Sequence, residues 1–257
     1  MPEEKALNME TSITQLKQDF RRIGVCAEDA IMVHASLRSV GSVEDRAEGL
    51  VCSLLSVLGN QGTLLAYADF ESTNDIPYFD PQKSPASSDF GILVEVIRTW
   101  PGAVRSLNPG ASIVAIGTRA EWFCSNHPMN YGYGLGSPFS RLVESGAKVL
   151  LLGSDFDNVT ILHYAEHCAK LPNKRVVRRT DKVFSGSTIM DVTIEEFDTS
   201  ELVISAMPDD YFAQITKQFV DAGYAQTGIV GQAHSVLLPV REFVKFAIDK
   251  MEQEFGT

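Results

Sequence analysis

The chain has 257 residues, carries a formal net charge of −11 from 33 acidic and 22 basic side chains, and is 44% hydrophobic. This composition is that of a folded globular protein rather than a disordered or fibrous one, and no apolar run approaches the roughly 18 residues that a membrane span needs. The acidic balance argues against nucleic acid, whose phosphates require a basic patch, and is compatible with a cationic small molecule, which an acidic cleft concentrates.

The beginning, Met1-Pro-Glu-Glu-Lys5, is acidic and then polar, opposite to the basic and apolar layout of a secretory leader, so the cytoplasm is the expected compartment. Cys26, Cys52, Cys124 and Cys168 are widely spaced and form no CxxC pair. Neither a zinc knuckle nor a disulfide framework is suggested, and the four read as reduced, mostly buried thiols.

Ser12-Ile-Thr-Gln15 has the form of a capping box, and Ile13, Leu16, Phe20 and Ile23 recur at helical spacing up to Gly24, which predicts an amphipathic helix over 11–23. A short buried strand is expected at Ala30 to His34, a helix from Leu50 to Leu58 and a strand from Gly62 to Tyr67, which establish a βαβ alternation. Residues 69–88, with Asn74-Asp75 and Asp80-Pro81, read as a long loop of the kind that carries function. A helix over 90–100 stops at Pro101, a strand covers 112–117 and a short helix 121–124. The glycine-rich stretch Asn130 to Pro138 leads into a helix over 139–144, a strand over 148–153 and a helix over 160–170. After Pro172 the pattern changes to alternation on both sides of Ser185-Gly-Ser187, an antiparallel hairpin. Helices over 209–222 and 239–254 close the chain. The expected fold is α/β, three-layer α/β/α with a mostly parallel central sheet and an antiparallel β insertion at about 174–198, in a single domain over 1–257.

The segment Asn158 to His167 follows the apolar run Lys148-Val-Leu-Leu-Leu-Gly153 and places an imidazole at a strand-to-helix junction. Ligands collect at the carboxyl ends of strands in such sheets, and a histidine takes and gives protons near neutrality. His163-Tyr-Ala-Glu166-His167 also matches HxxEH, a pattern in which two histidines on one helix face ligate zinc and the glutamate activates water. A zinc metallopeptidase would need a third protein ligand, and only distant histidines such as His34 and His127 offer one.

Taken together, the motifs resemble the aminoglycoside 3-N-acetyltransferase family over about residues 14–250. The resemblance rests on an ordered set: Met32-Val-His34-Ala-Ser36-Leu-Arg38-Ser39-Val40-Gly41, Gly62-Thr-Leu64, Phe79-Asp80-Pro81, Arg105-Ser106 with Pro109 and Ser112, Gly136-Ser137-Pro138, Leu151-Leu-Gly153, Thr160-Ile-Leu-His163-Tyr-Ala-Glu166 and Val230-Gly231-Gln-Ala233. It implies acetyl-coenzyme A as cosubstrate and transfer of its acetyl group to the 3-amine of the deoxystreptamine ring of an aminoglycoside, which confers antibiotic resistance. It further implies a ternary complex, with no covalent enzyme intermediate and no metal.

On that resemblance His163 is the general base, Glu196 the carboxylate that orients it, and Asp75 the acidic residue that completes the site and holds the cationic ring. Glu195 stays open beside Glu196, as do Asp69 and Glu71 beside Asp75. Ser36, Leu37, Arg38, Ser39, Val40 and Gly41 resemble the coenzyme-binding segment, with Ser106 and Ser112 as further candidates. Asp155, Asp157 and Glu166 join Asp75 as substrate-binding candidates, and Thr160 is a candidate oxyanion donor. Asn108, where many members carry histidine, and the acidic Ser154-Asp155 turn depart from the family pattern. An N-acetyltransferase acting on another amine, and a protein that only sequesters cationic antibiotics, stand as alternatives; oligomeric state is left open.

Overall fold

A computed structural model describes residues 10–172, 174–197 and 207–256. The acidic beginning of the chain and Asp198, at the end of the expected insertion, lie outside the described residues. The first helix, α1 (Ile13–Arg22), starts where predicted, with the Ser12 side chain accepting from the backbone N–H of Gln15. Only half of the capping box forms, because the Gln15 amide donates to Asp19 Oδ1 at 2.7 Å and not back to Ser12.

Then follow β1 (Ala30–Ala35), α2 (Leu37–Val40), α3 (Arg46–Leu58), β2 (Thr63–Tyr67), α4 (Ile92–Arg98), β3 (Val104–Arg105), β4 (Ile113–Gly117), α5 (Ala120–Cys124) and α6 (Pro138–Ser145). The rest of the chain forms β5 (Lys148–Leu152), α7 (Ile161–Cys168), β6 (Val176–Ser185), β7 (Thr188–Phe197), α8 (Tyr211–Asp221), β8 (Gln226–Val230), β9 (Ala233–Pro239) and α9 (Val240–Phe255). Seven strands make one sheet in the order β3-β4-β2-β1-β5-β9-β8. The centre, β2-β1-β5, is parallel, and the flanking pairings are antiparallel.

The strands are apolar on both faces because helices cover both, as a parallel centre requires. Alternation along each strand sends neighbouring residues to opposite layers. Met32, Leu65, Tyr67, Val149 and Leu151 enter the core under α5, α6, α7, α8 and α9. Ile31, Val33, Leu64, Ala66, Leu150 and Leu152 enter the core under α1, α3 and α4. The three layers expected from the alternation of elements are therefore present. The short β3 and the β8-β9 hairpin are additions to that expectation. The thiols differ from it too: Cys26 and Cys52 are exposed, Cys124 is buried and Cys168 is half-buried. Cys52 lies on α3 among helix residues whose other face packs on the sheet, and helical spacing turns it outward.

The β6-β7 hairpin forms a separate two-stranded sheet. Two contacts pin it to the body. Phe79, buried in the long loop, exchanges backbone hydrogen bonds with Lys182 and Phe184 at 2.8 and 2.7 Å, and the Glu195 N–H donates to the Asn130 carbonyl at 2.9 Å. One face of the hairpin is thereby held against the carboxyl end of the parallel strands. Among the described residues no helix is long and apolar enough to cross a membrane.

Candidate active site

The three central strands run parallel and end side by side, so the residues after them converge. β2 delivers Asp69, β1 delivers His34 and Ala35, and β5 delivers Ser154, all to the wall of one cavity of about 510 Å³. Thr160 and His163 from the start of α7 and Phe212 from α8 line the same space, and Arg179 and Glu196 reach it from the hairpin.

His163 sits in the first turn of α7, and Glu166, one turn on, shares its face. Its Nδ1 lies 2.9 Å from Glu166 Oε2. The imidazole is 27% exposed and the carboxylate 4%, so the pair presents a ring to the cavity and keeps its acid in the core. Tyr133 and Phe212 both pack on the ring, with centroid separations of 4.9 and 5.0 Å. An ionised carboxylate only accepts hydrogen bonds, so Glu166 favours the tautomer that carries its proton on Nδ1 and leaves Nε2 with a lone pair.

The geometry gives each candidate carboxylate its partners. Glu166, read from the sequence as a substrate-binding candidate, holds the His163 ring. Glu196, read as the orienting group, is bound by the Arg179 guanidinium and also lies near enough to His163 for the two charges to act on each other. Burial raises the Glu196 carboxyl above its ordinary range, while Arg179 opposes that rise. The pleat settles which glutamate faces the cavity. Residues 177, 179, 181 and 196 share one face of the hairpin, whereas Glu195 pairs with Arg178 at 2.6 Å on the other.

Asp75 lies exposed in the long loop and does not line the cavity. Its place there is taken by Asp69, whose carboxyl burial pushes up to about 6, although the Phe70 N–H donates to it at 2.7 Å and Arg179 lies close. Glu71 lines a neighbouring cavity of about 620 Å³ that shares Asp69, Asp89, Phe90 and Arg179 with the first. Beside Asp69, the Tyr67 and Tyr133 hydroxyls are 2.7 Å apart.

An open groove of about 900 Å³ meets the cavity at Ser154 and Asp157. Ser39, Asp155, Gln232 and His234 border it. At its edge Gly153, with φ 62°, lets the chain turn where a Cβ would lie 2.6 Å from Ser39 Cβ and 2.8 Å from Ala233 Cβ. Of the expected coenzyme segment, Ser36 caps α2 through its side chain, Leu37 is half-buried, Arg38 is exposed, Ser39 lines the groove and Val40 is fully buried. Gly41 has φ 84° and packs on Gln232.

Ser106 and Ser112 are fully buried and serve the interior. Ser106 Oγ accepts from the Ile113 N–H and lies 2.9 Å from His127 Nδ1. Ser112 accepts from Arg105 Nε at 3.1 Å. Asn108, at the position that departs from the family pattern, donates to the Pro128 carbonyl at 2.8 Å and accepts from the Gly110 N–H at 3.0 Å. His127 is buried between Ser106 and the Gly132 carbonyl, and burial lowers it to about 4.

His167, the second histidine of HxxEH, lies against Tyr131 at a centroid distance of 4.4 Å. Among the described residues no three His, Cys, Asp or Glu side chains converge in a set that could hold a metal ion. Sequence reasoning missed Arg179, Tyr67 and Tyr133. One of these carried a signal, since Tyr67 ends a strand; Arg179 joins Glu196 on one face only through the register of the hairpin.

A family model described as aminoglycoside 3-N-acetyltransferase matches residues 32–252. Aminoglycoside N(3)-acetyltransferase III of Pseudomonas aeruginosa is 34% identical, with 97% of each chain covered. The enzyme of that name from Serratia marcescens is 36% identical over 95% of this chain and 98% of its own. Among solved structures, AAC-IIIb in its binary complex with CoASH superposes with a TM-score of 0.93 at 40% identity, covering 97% of this chain and 99% of that one. AAC-VIa bound to sisomicin gives a TM-score of 0.90 at 31% identity, over 97% of this chain and 100% of that one.

Proposed function

The chain belongs to the aminoglycoside 3-N-acetyltransferase family, and we propose that it moves the acetyl group of acetyl-coenzyme A to the 3-amino group of an aminoglycoside's deoxystreptamine ring, in the cytoplasm, conferring resistance. The observation that carries this reading is the His163–Glu166 pair, set in an acidic cavity that opens onto a long groove.

A protonated amine is not a nucleophile, so the enzyme must bind a polycation and still deal with a neutral amine at the reacting position. Asp69, Asp89 and Asp157 supply the attraction. His163, with its proton held on Nδ1 by Glu166, uses Nε2 as general base. As the amine nitrogen bonds to the thioester carbon, Nε2 takes its proton; the C–S bond then breaks and the imidazolium returns a proton to the departing thiolate. The groove past Ser39 and Gly153 suits the coenzyme, because it delivers a thioester to the junction at Ser154 and Asp157 beside α7. Holding the two substrates together and general-base help of about 10²- to 10⁴-fold are the main contributions.

Replacing His163 by alanine tests the reading. Release of coenzyme A thiol with sisomicin should fall by about 10²- to 10⁴-fold, while far-UV circular dichroism stays that of the parent because the ring is partly exposed. Unchanged turnover would remove His163 from the mechanism.

A further inference from the structure

The first cavity is lined by four carboxylates, Asp69, Asp89, Asp157 and Glu196, and by one Arg or Lys among the described residues, Arg179. A cation inside a site for cationic substrates works against binding unless it has another task, so its geometry is informative. The Arg179 side chain is 40% exposed, yet its guanidinium is tied down. Its Nη1 donates to Glu196, and its Nε donates to Asp181 Oδ2 at 2.9 Å. The guanidinium rests on the backbone of Gly110, where a Cβ would come within 2.2 Å of Nη2. Gly110 does not have a positive φ, so glycine is required there for space alone. Arg179 also borders both the 510 Å³ cavity and the 620 Å³ cavity beside it, which share Asp69 and Asp89.

We propose that Arg179 is a specificity-determining residue: a counter-ion paired with Glu196 at the wall between the two cavities, which lowers the affinity for polycationic substrates such as sisomicin relative to substrates that carry hydroxyls in place of ammonium groups. This rests on the acetyltransferase reading above. The physical basis is Coulombic. A guanidinium seated beside bound ammonium groups repels them through a partly screened medium, and its fork of donors accommodates hydroxyl oxygen without that cost. Arg179 makes no hydrogen bond to the His163 ring or to Glu166 and reaches that ring only through Glu196, so its first influence falls on substrate affinity.

Thiol release from acetyl-coenzyme A with sisomicin as acceptor, at low and at high salt, reads this directly. In Arg179→Gln the KM for sisomicin should fall about 5- to 10-fold, the size of one partly screened charge interaction, with a much smaller change in kcat and in the KM for acetyl-coenzyme A. The dependence of kcat/KM on salt should also steepen, since the cavity becomes more negative. Arg179→Lys restores a cation and should bring the KM back toward the parent value. A role confined to anchoring the hairpin would instead raise the KM in both variants and lower the melting temperature. A KM for sisomicin that rises or stays put in Arg179→Gln, with the parent enzyme active, overturns the proposal alone; a parent enzyme that releases no thiol overturns the acetyltransferase reading, and the proposal falls with it.

Discussion

The two walls of the cavity are built differently. On one, His163 and Glu166 stand on a helix whose inner face, Ile161, Leu162 and Ala165, is fully buried in the core. On the other, Arg179 and Glu196 stand on a two-stranded ribbon that is largely exposed and joined to the body at Phe79 and Asn130. The groups assigned the chemistry are held by close-packed surroundings, and those assigned charge selection by a ribbon able to change sequence without disturbing the core. Substitutions on the first wall should therefore cost turnover, and those on the second should move affinity.

The largest expected effect is on the first wall. Glu166→Gln keeps the size of the side chain but presents an amide to Nδ1, which no longer fixes the tautomer; kcat should fall by about 10²-fold or more, with the KM for sisomicin little changed. A variant that shifted KM and spared kcat would erase the distinction between the walls. Next comes the pH dependence of binding at the strand end between them. Asp69 ionises at about 6, above its unperturbed value, so it is mostly neutral at pH 5 and charged at pH 7. Sisomicin affinity, followed by calorimetry, should strengthen several-fold as pH rises through 6, and Asp69→Asn should flatten that step. If the step persists unaltered in the variant, another group is responsible.

The smallest effect belongs to the outer face of the ribbon. Arg178 and Glu195 repeat the chemistry of Arg179 and Glu196 one residue away, yet the Arg178 side chain is 72% exposed and faces away from the cavity. Solvent screening leaves such a pair worth about 0 to 1 kcal/mol. Arg178→Ala should leave both melting temperature and the KM for sisomicin close to the parent values. A KM shift as large as that of Arg179→Gln would mean that net ribbon charge, and not position in the cavity, governs affinity.

Much of this was legible beforehand wherever local rules dominate. The strands at 30–35, 63–67 and 148–152 declare themselves as apolar runs closed by small or polar residues, and α7 places His163 and Glu166 on one face by spacing alone. The hairpin follows from alternation around Ser185-Gly186-Ser187. β8 and β9 were missed because they lie edge-on to the sheet centre beyond β5, a pairing that no local period specifies. The contest between Asp69 and Asp75 was open for a related reason: both are acids of one long loop, and only the first is tied to a strand end, whereas the second is carried out to solvent.

The sequence by itself determined the layer architecture, the family and the helix that carries the imidazole, because periodicity, capping and ordered motifs are properties of neighbours along the chain. Only the tertiary structure decided which carboxylate lies beside which partner. Glu166 holds the ring, Glu196 is paired with Arg179, and Asp69 lines the cavity because parallel strands end together and a ribbon folds back over them, which sets distances between residues that the chain keeps far apart.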